Sequence, residues 1–221
     1  MLRTLVFILT FAFLTVDCTL HNDRTSNTSN KFDILPLPLD STTFYFKLKN
    51  NWKDSINDAL DTFVNTWYSK MLFALKEPVL KDYHGNKEIY RFTWLRSFHH
   101  PVSIRLERQR DIVKLFTKVS RGAGGYEPLE LISDNTRDIT FQEYSLLQEK
   151  INDTKFWDLP AEMQDGSNDG AEWIIEIVKD NKYHLVTRNT PFEERHGNFR
   201  IIGEYLILLS KLDKKETEHI Y

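Results

Sequence analysis

The chain has 221 residues, 41% of them hydrophobic and 13% aromatic, enough to bury one good core, so a single domain is the simplest organisation. Its 29 basic and 32 acidic residues leave a formal charge of −3, which gives no bias toward nucleic acid or an anionic membrane surface, and no nucleic-acid partner is expected. Cys18 is the one cysteine, so no disulfide holds the fold.

Arg3 precedes an uncharged apolar run, Leu5 to Val16, that is too short to span a bilayer comfortably, and residues 1–18 are read as a signal peptide. Cys18 closes the run as the acylated cysteine of a bacterial lipoprotein would. Asp17 stands where such signals carry a small residue, which leaves ordinary cleavage after Val16 or Cys18 as the alternative.

Thr19 to Asp40 is polar and then rich in proline (LPLPL), which predicts a flexible tether, with the folded domain spanning 41–215 and a charged tail over 216–221. Phe44 to Leu48 suits a short first strand. Trp52, Ile56, Leu60, Phe63, Trp67, Met71 and Leu75 recur at helical spacing and predict an amphipathic helix over about 51–74, capped by Asn50 or Asn51, with that stripe in the core.

Three alternating runs follow, Glu88 to Phe98, Val102 to Arg108 and Asp111 to Ser120, as expected for an antiparallel sheet with one wet face. RGAGGY at 121–126 lacks the lysine and hydroxyl of a P-loop and is read as a plain flexible connection. Thr140 and Glu143 make a capping box ahead of a second helix to about Asn152, with Phe156 and Trp157 pinning its end. Phe199, Ile202, Leu206, Leu209 and Leu212 mark a C-terminal helix. Helices separated by runs of strands give an α+β class, a mostly antiparallel sheet packed against a long N-terminal helix, with a second helix and a C-terminal helix.

Between the last two helices, Ala171 to Val178 and Tyr183 to Arg188 read as a hairpin. A two-residue turn at Asp180 and Asn181 would set Trp173 opposite Arg188 and Ile177 opposite His184, mixing polar and apolar side chains on both faces. A three-residue loop, Asp180 to Lys182, sorts the faces and gathers Glu172, Glu176, His184 and Arg188 on one of them, so it is the preferred register. Those four residues could hold a general acid or base, or bind an anion; the plainer reading is a solvated face with cross-strand ion pairs.

Asp165, Ser167, Asp169, Gly170 and Glu176 fall at EF-hand loop positions, offering calcium as an alternative at Asp165, Ser167 and Asp169. Against it, Ala171 to Val178 reads as strand, which puts Glu176 about 20 Å from Gly170 at roughly 3.3 Å per residue, so no metal or cofactor is expected. His99 and His100 would point to opposite faces of a strand, and His84, His196 and His219 read as surface residues. HExxH, GxSxG and CxxC are absent.

The run from Thr140 through Trp157 to Leu159 and Pro160, then DGAEWIIE, YHLVTR, Pro191 and the apolar last helix, resembles a C-terminal region of uncharacterised exported bacterial proteins and lipoproteins. The likeness covers about the last third and implies export, with no activity or catalytic residues attached. The resulting expectation is a non-enzymatic envelope protein, lipid-anchored at Cys18 if acylated or else periplasmic or secreted, binding a protein or small ligand. The alternative is an exported hydrolase-like enzyme using Glu172, Glu176, His184 and Arg188.

Overall fold

The computed structural model describes residues 31–46, 48, 55–162 and 169–221, and one compact unit runs from Phe32 to Tyr221. The signal-peptide and lipidation residues, including Cys18, lie outside the described residues, as do Asn50 and Asn51. The class is mixed α+β. Six antiparallel strands, β1 (Glu88–Arg96), β2 (Val102–Gln109), β3 (Ile112–Gly122), β4 (Pro128–Asp138), β5 (Ala171–Lys179) and β6 (Lys182–Asn189), form one sheet in the order β4-β3-β2-β1-β5-β6. Five helices accompany them among the described residues: α1 (Ser55–Ala74), α2 (Phe141–Asp153), α3 (Glu193–His196), α4 (Phe199–Ser210) and α5 (Lys214–Thr217).

Alternation along the strands builds one apolar face from Tyr90, Phe92 and Trp94 of β1, Ile104 and Leu106 of β2, and Trp173, Ile175 and Ile177 of β5. The apolar stripes of α2 (Tyr144, Leu147, Ile151) and α4 (Phe199, Ile202, Leu206) close over it. Each such fully buried side chain contributes roughly 1.5–3 kcal/mol, so this face holds most of the core. The Thr140 and Glu143 side chains cap α2 reciprocally, each taking a main-chain N–H of the other.

The second face is not wet. Ser103, Arg105 and Glu107 are buried, with Glu77, which follows α1, against Arg105 and Lys87 against Glu107. Tyr45 and Phe46 are buried against Tyr68, Met71 and Leu72 of α1 and Leu95, Ile174 and Leu185 of the sheet. Among the described residues of 44–48 there is no strand. The Tyr45 N–H donates to Ser69 Oγ, and Leu48 exchanges two hydrogen bonds with the Asn65 amide, so α1 side chains satisfy the backbone that a sheet would otherwise hold. That pairing rotates the buried stripe of α1 onto Asn65, Tyr68, Ser69, Met71, Leu72 and Leu75, leaving Phe63 exposed.

Three further differences have local causes. Residues 32–40, read as the end of a tether, lie in the same compact unit as the sheet, where Leu35 is buried and Asp33 bonds reciprocally with Gln109. The RGAGGY segment is a packed hairpin connection, not a flexible one: a Cβ on Gly124 would lie 2.5 Å from the Leu95 backbone, and Gly124 and Gly125 donate to His99 and Ser97 carbonyls. It leads into β4, an edge strand that the alternation pattern did not mark.

The hairpin register is the one not preferred from the sequence. Asp180 (φ 52°) and Asn181 (φ 58°) alone make the turn, Lys179 pairs with Lys182, and Trp173 stands opposite Arg188. Both turn residues sit in the left-handed region that a two-residue type I′ turn requires and that Asp and Asn tolerate. The preference for sorted faces failed because both faces of this hairpin are covered.

Candidate functional site

The four residues proposed as a polar cluster are split by that register. Glu172 and Glu176 belong to the α1 face, His184 and Arg188 to the opposite one. His184 Nε2 lies 3.0 Å from the Leu159 carbonyl, and its ring stacks on Trp157. Arg188 donates to the carbonyls of Pro160 and Thr187, at 3.0 and 2.6 Å. Both therefore clamp the 156–161 connection onto β6. Glu172 accepts from Thr187 Oγ1 and Asn189 Nδ2.

The calcium pattern also comes apart. Asp165 and Ser167 lie outside the described residues, Asp169 is exposed, and Glu176 is buried in the middle of β5 and bound to Arg91. No group of three or more potential metal ligands occurs among the described residues. His196, expected at the surface, is buried and its Nδ1 accepts the Phe192 N–H at 3.1 Å. His84 and His219 are exposed.

The structure instead assembles a charged layer on the α1 face that sequence reading missed. Three carboxylates, Glu77, Glu107 and Glu176, and four cations, Lys87, Arg91, Arg105 and Lys118, are all buried. Arg91 binds Glu176 at 2.7 Å through Nε and 2.5 Å through Nη2, and its Nη1 donates to the Pro78 carbonyl. Glu77, in the turn after α1, receives Arg105 Nε at 2.7 Å, with Lys118 at 3.4 Å and Arg91 at 3.6 Å. Glu107 joins Arg105 to Lys87, whose Nζ is 2.6 Å away. Tyr183 donates its hydroxyl to Glu176.

Burial would raise the Glu77 carboxyl, but Arg105, Lys118 and Arg91 together outweigh it and hold it below the ordinary carboxylate value. Glu176 goes the other way: burial, aided by Glu77, outweighs Arg91 and raises it. Burial, with Arg105 nearby, pushes the Lys87 ammonium down to about 8. The signal available in the sequence was the polar half of each alternating strand, but alternation reads the same whether that face meets water or a second layer.

Above this layer lies a groove of about 630 Å³ between residues 37–45, the end of α1 and β4. Leu37, Pro38, Phe73, Ala74, Leu129 and Leu131 form its walls, with Leu37 and Leu129 half exposed. At its floor the Tyr45 hydroxyl donates to the Glu77 main-chain carbonyl at 2.8 Å, and burial raises that phenol well above its ordinary value. The Lys118 ammonium donates to the adjoining Lys76 carbonyl. Chemically the groove offers mainly apolar contact, with the exposed Lys76 and Glu130 and the buried Glu77 also among its lining residues.

No protein-family model matches the chain, and no curated protein is significantly similar to it. No helix among the described residues is long and apolar enough to cross a membrane.

Proposed function

We propose that this is an exported envelope protein, lipid-anchored through Cys18 or soluble after export, whose domain binds a small apolar ligand in the groove at Leu37, Phe73 and Leu129 and does not catalyse a reaction. The supporting observation is the groove itself. A volume of about 630 Å³ falls within the range of small-molecule sites, and mainly apolar walls with a few polar groups are what such sites use. Glu77, Arg105 and Lys118 are held by each other and so serve to fix the floor. In this reading the end of α1, Phe73 and Ala74, walls the groove on one side.

The binding half is tested on the full chain with 8-anilinonaphthalene-1-sulfonate as probe. Enhanced fluorescence in the wild type that falls several-fold in Leu129→Glu, at unchanged thermal stability, is expected. Equal enhancement in both proteins excludes the groove. The anchoring half is tested by intact mass after membrane fractionation of the full chain expressed in a bacterium: an acylated Cys18 supports it, and an unmodified soluble chain beginning at Asp17 or Thr19 removes the anchor.

A further inference from the structure

Residues 213–221 lie as a strap across one end of the aromatic face. Trp94 and Trp173, partners across the β1–β5 pair, both donate their indole N–H to one oxygen, the main-chain carbonyl of Tyr221, at 3.1 and 2.8 Å. Arg200 of α4 donates to the Ile220 carbonyl at 3.0 Å. Arg96, its side chain fully buried and its guanidinium 3.9 Å from the centre of the Trp94 ring, holds the Glu216 carbonyl at 2.6 Å and carboxylate at 3.1 Å. Two histidines of the β1–β2 connection complete the seat: His100 Nδ1 is 2.9 Å from Glu216 Oε1, and His99 Nδ1 is 2.8 Å from the Tyr221 hydroxyl.

The two histidines, read as pointing apart in a strand, follow the end of β1 and both meet the strap. His99 is faced by Arg96 at the end of β1, by its neighbour His100, and by Glu216, His219 and Tyr221 of the strap. The His219 ring stands 6.0 Å from its own. Arg96 is a permanent cation at the end of β1, and Glu216 of the strap is the carboxylate that faces the ring. A proton on His99 would therefore be added beside the Arg96 guanidinium and leave both ring nitrogens as donors.

We propose that the strap is an acid-released latch: protonation of His99 frees residues 213–221 and uncovers the indole N–H groups of Trp94 and Trp173 together with Arg96 and Arg200. Burial, with the nearby charges of Arg96 and His219, holds the docked His99 below the ordinary histidine value. The docked state thus binds the proton less readily than the free strap does. Docking is at full strength above roughly pH 6.5, and it weakens as pH falls from there.

The indole N–H resonances of the full chain report the latch directly, once Trp94→Phe and Trp173→Phe assign them. Lowering pH from about 7.5 to about 5 should move both resonances together while the remaining spectrum keeps its dispersion. In His99→Gln, whose amide oxygen still accepts the Tyr221 hydroxyl without titrating, both should stay in place. Indole resonances that do not move in the wild type, the same transition in His99→Gln, or loss of dispersion across the whole spectrum would each overturn the proposal.

Discussion

Glu176 and His184 stand on opposite faces of the β5–β6 hairpin, although counting residues across a three-residue loop would have made them neighbours. Two residues decide this. Asp180 and Asn181, both left-handed, close the turn, and every side chain beyond them takes the face that this closure dictates.

Replacing Asn181 by valine should therefore lower unfolding free energy by about 1–2 kcal/mol, since a β-branched residue resists positive φ, whereas Asn181→Gly should leave it level or raise it. Urea unfolding of the two variants checks this. Valine and glycine behaving alike would mean that the turn has another geometry.

Glu176 is the buried counterion of Arg91, and removing it leaves the guanidinium with a carboxylate 3.6 Å away in Glu77. Glu176→Leu should cost about 3–5 kcal/mol in chemical denaturation, and adding Arg91→Met should recover part of that loss. Additive losses in the cycle would show that the two side chains are not coupled.

Glu88 accepts from the hydroxyls of Tyr90 and Tyr144 and has Arg108 and Lys179 near it. Burial would raise its carboxyl, yet these partners together hold it below the ordinary value. A depressed carboxyl contributes stability that is present above its unfolded value, about 4.3, and lost as pH falls through the folded one. The melting temperature of the wild type should fall more steeply between about pH 5 and 3 than that of Glu88→Gln. Parallel curves for the two proteins would refute this assignment.

Gly203 lets α4 lie directly on the indole of Trp173, where an added Cβ would come within 2.5 Å of the ring. Gly203→Ala should destabilise by about 1–3 kcal/mol and alter the near-ultraviolet circular dichroism of the aromatic cluster. A gain in stability, as expected for alanine in an unconstrained helix, would show that α4 packs elsewhere.

Asn65 carries both main-chain bonds of Leu48 from the middle of α1. Asn65→Ala strands two buried backbone groups and should cost about 2–6 kcal/mol, each unsatisfied group being worth about 1–3. Asn65→Asp, which can satisfy only the N–H, should fall between alanine and the wild type in thermal unfolding.

Much of the fold was legible because its signals are local. The alternation of Val102 to Glu107 set the two faces of β2, the Thr140 and Glu143 pair marked the start of α2, and Phe199, Ile202 and Leu206 marked the stripe of α4. β4 was not legible: its apolar residues Leu129, Leu131 and Ile132 sit at an edge and do not alternate with the rest of the strand. The candidate site was legible only as scattered charges. Glu77 and Lys118 meet through chain segments 41 residues apart, and no spacing rule links them.

What the sequence by itself determined was α2, α4 and the alternation along β1, β2, β3, β5 and β6, since periodicity and capping act over a few residues. Tertiary structure alone decided which faces are covered. Once α1 and residues 32–46 pack on the second face, Arg91, Arg105 and Lys118 lose water and are held by Glu77, Glu107 and Glu176 instead. A charge removed from solvent is stable only beside its opposite, and that pairing is a property of the assembled layers.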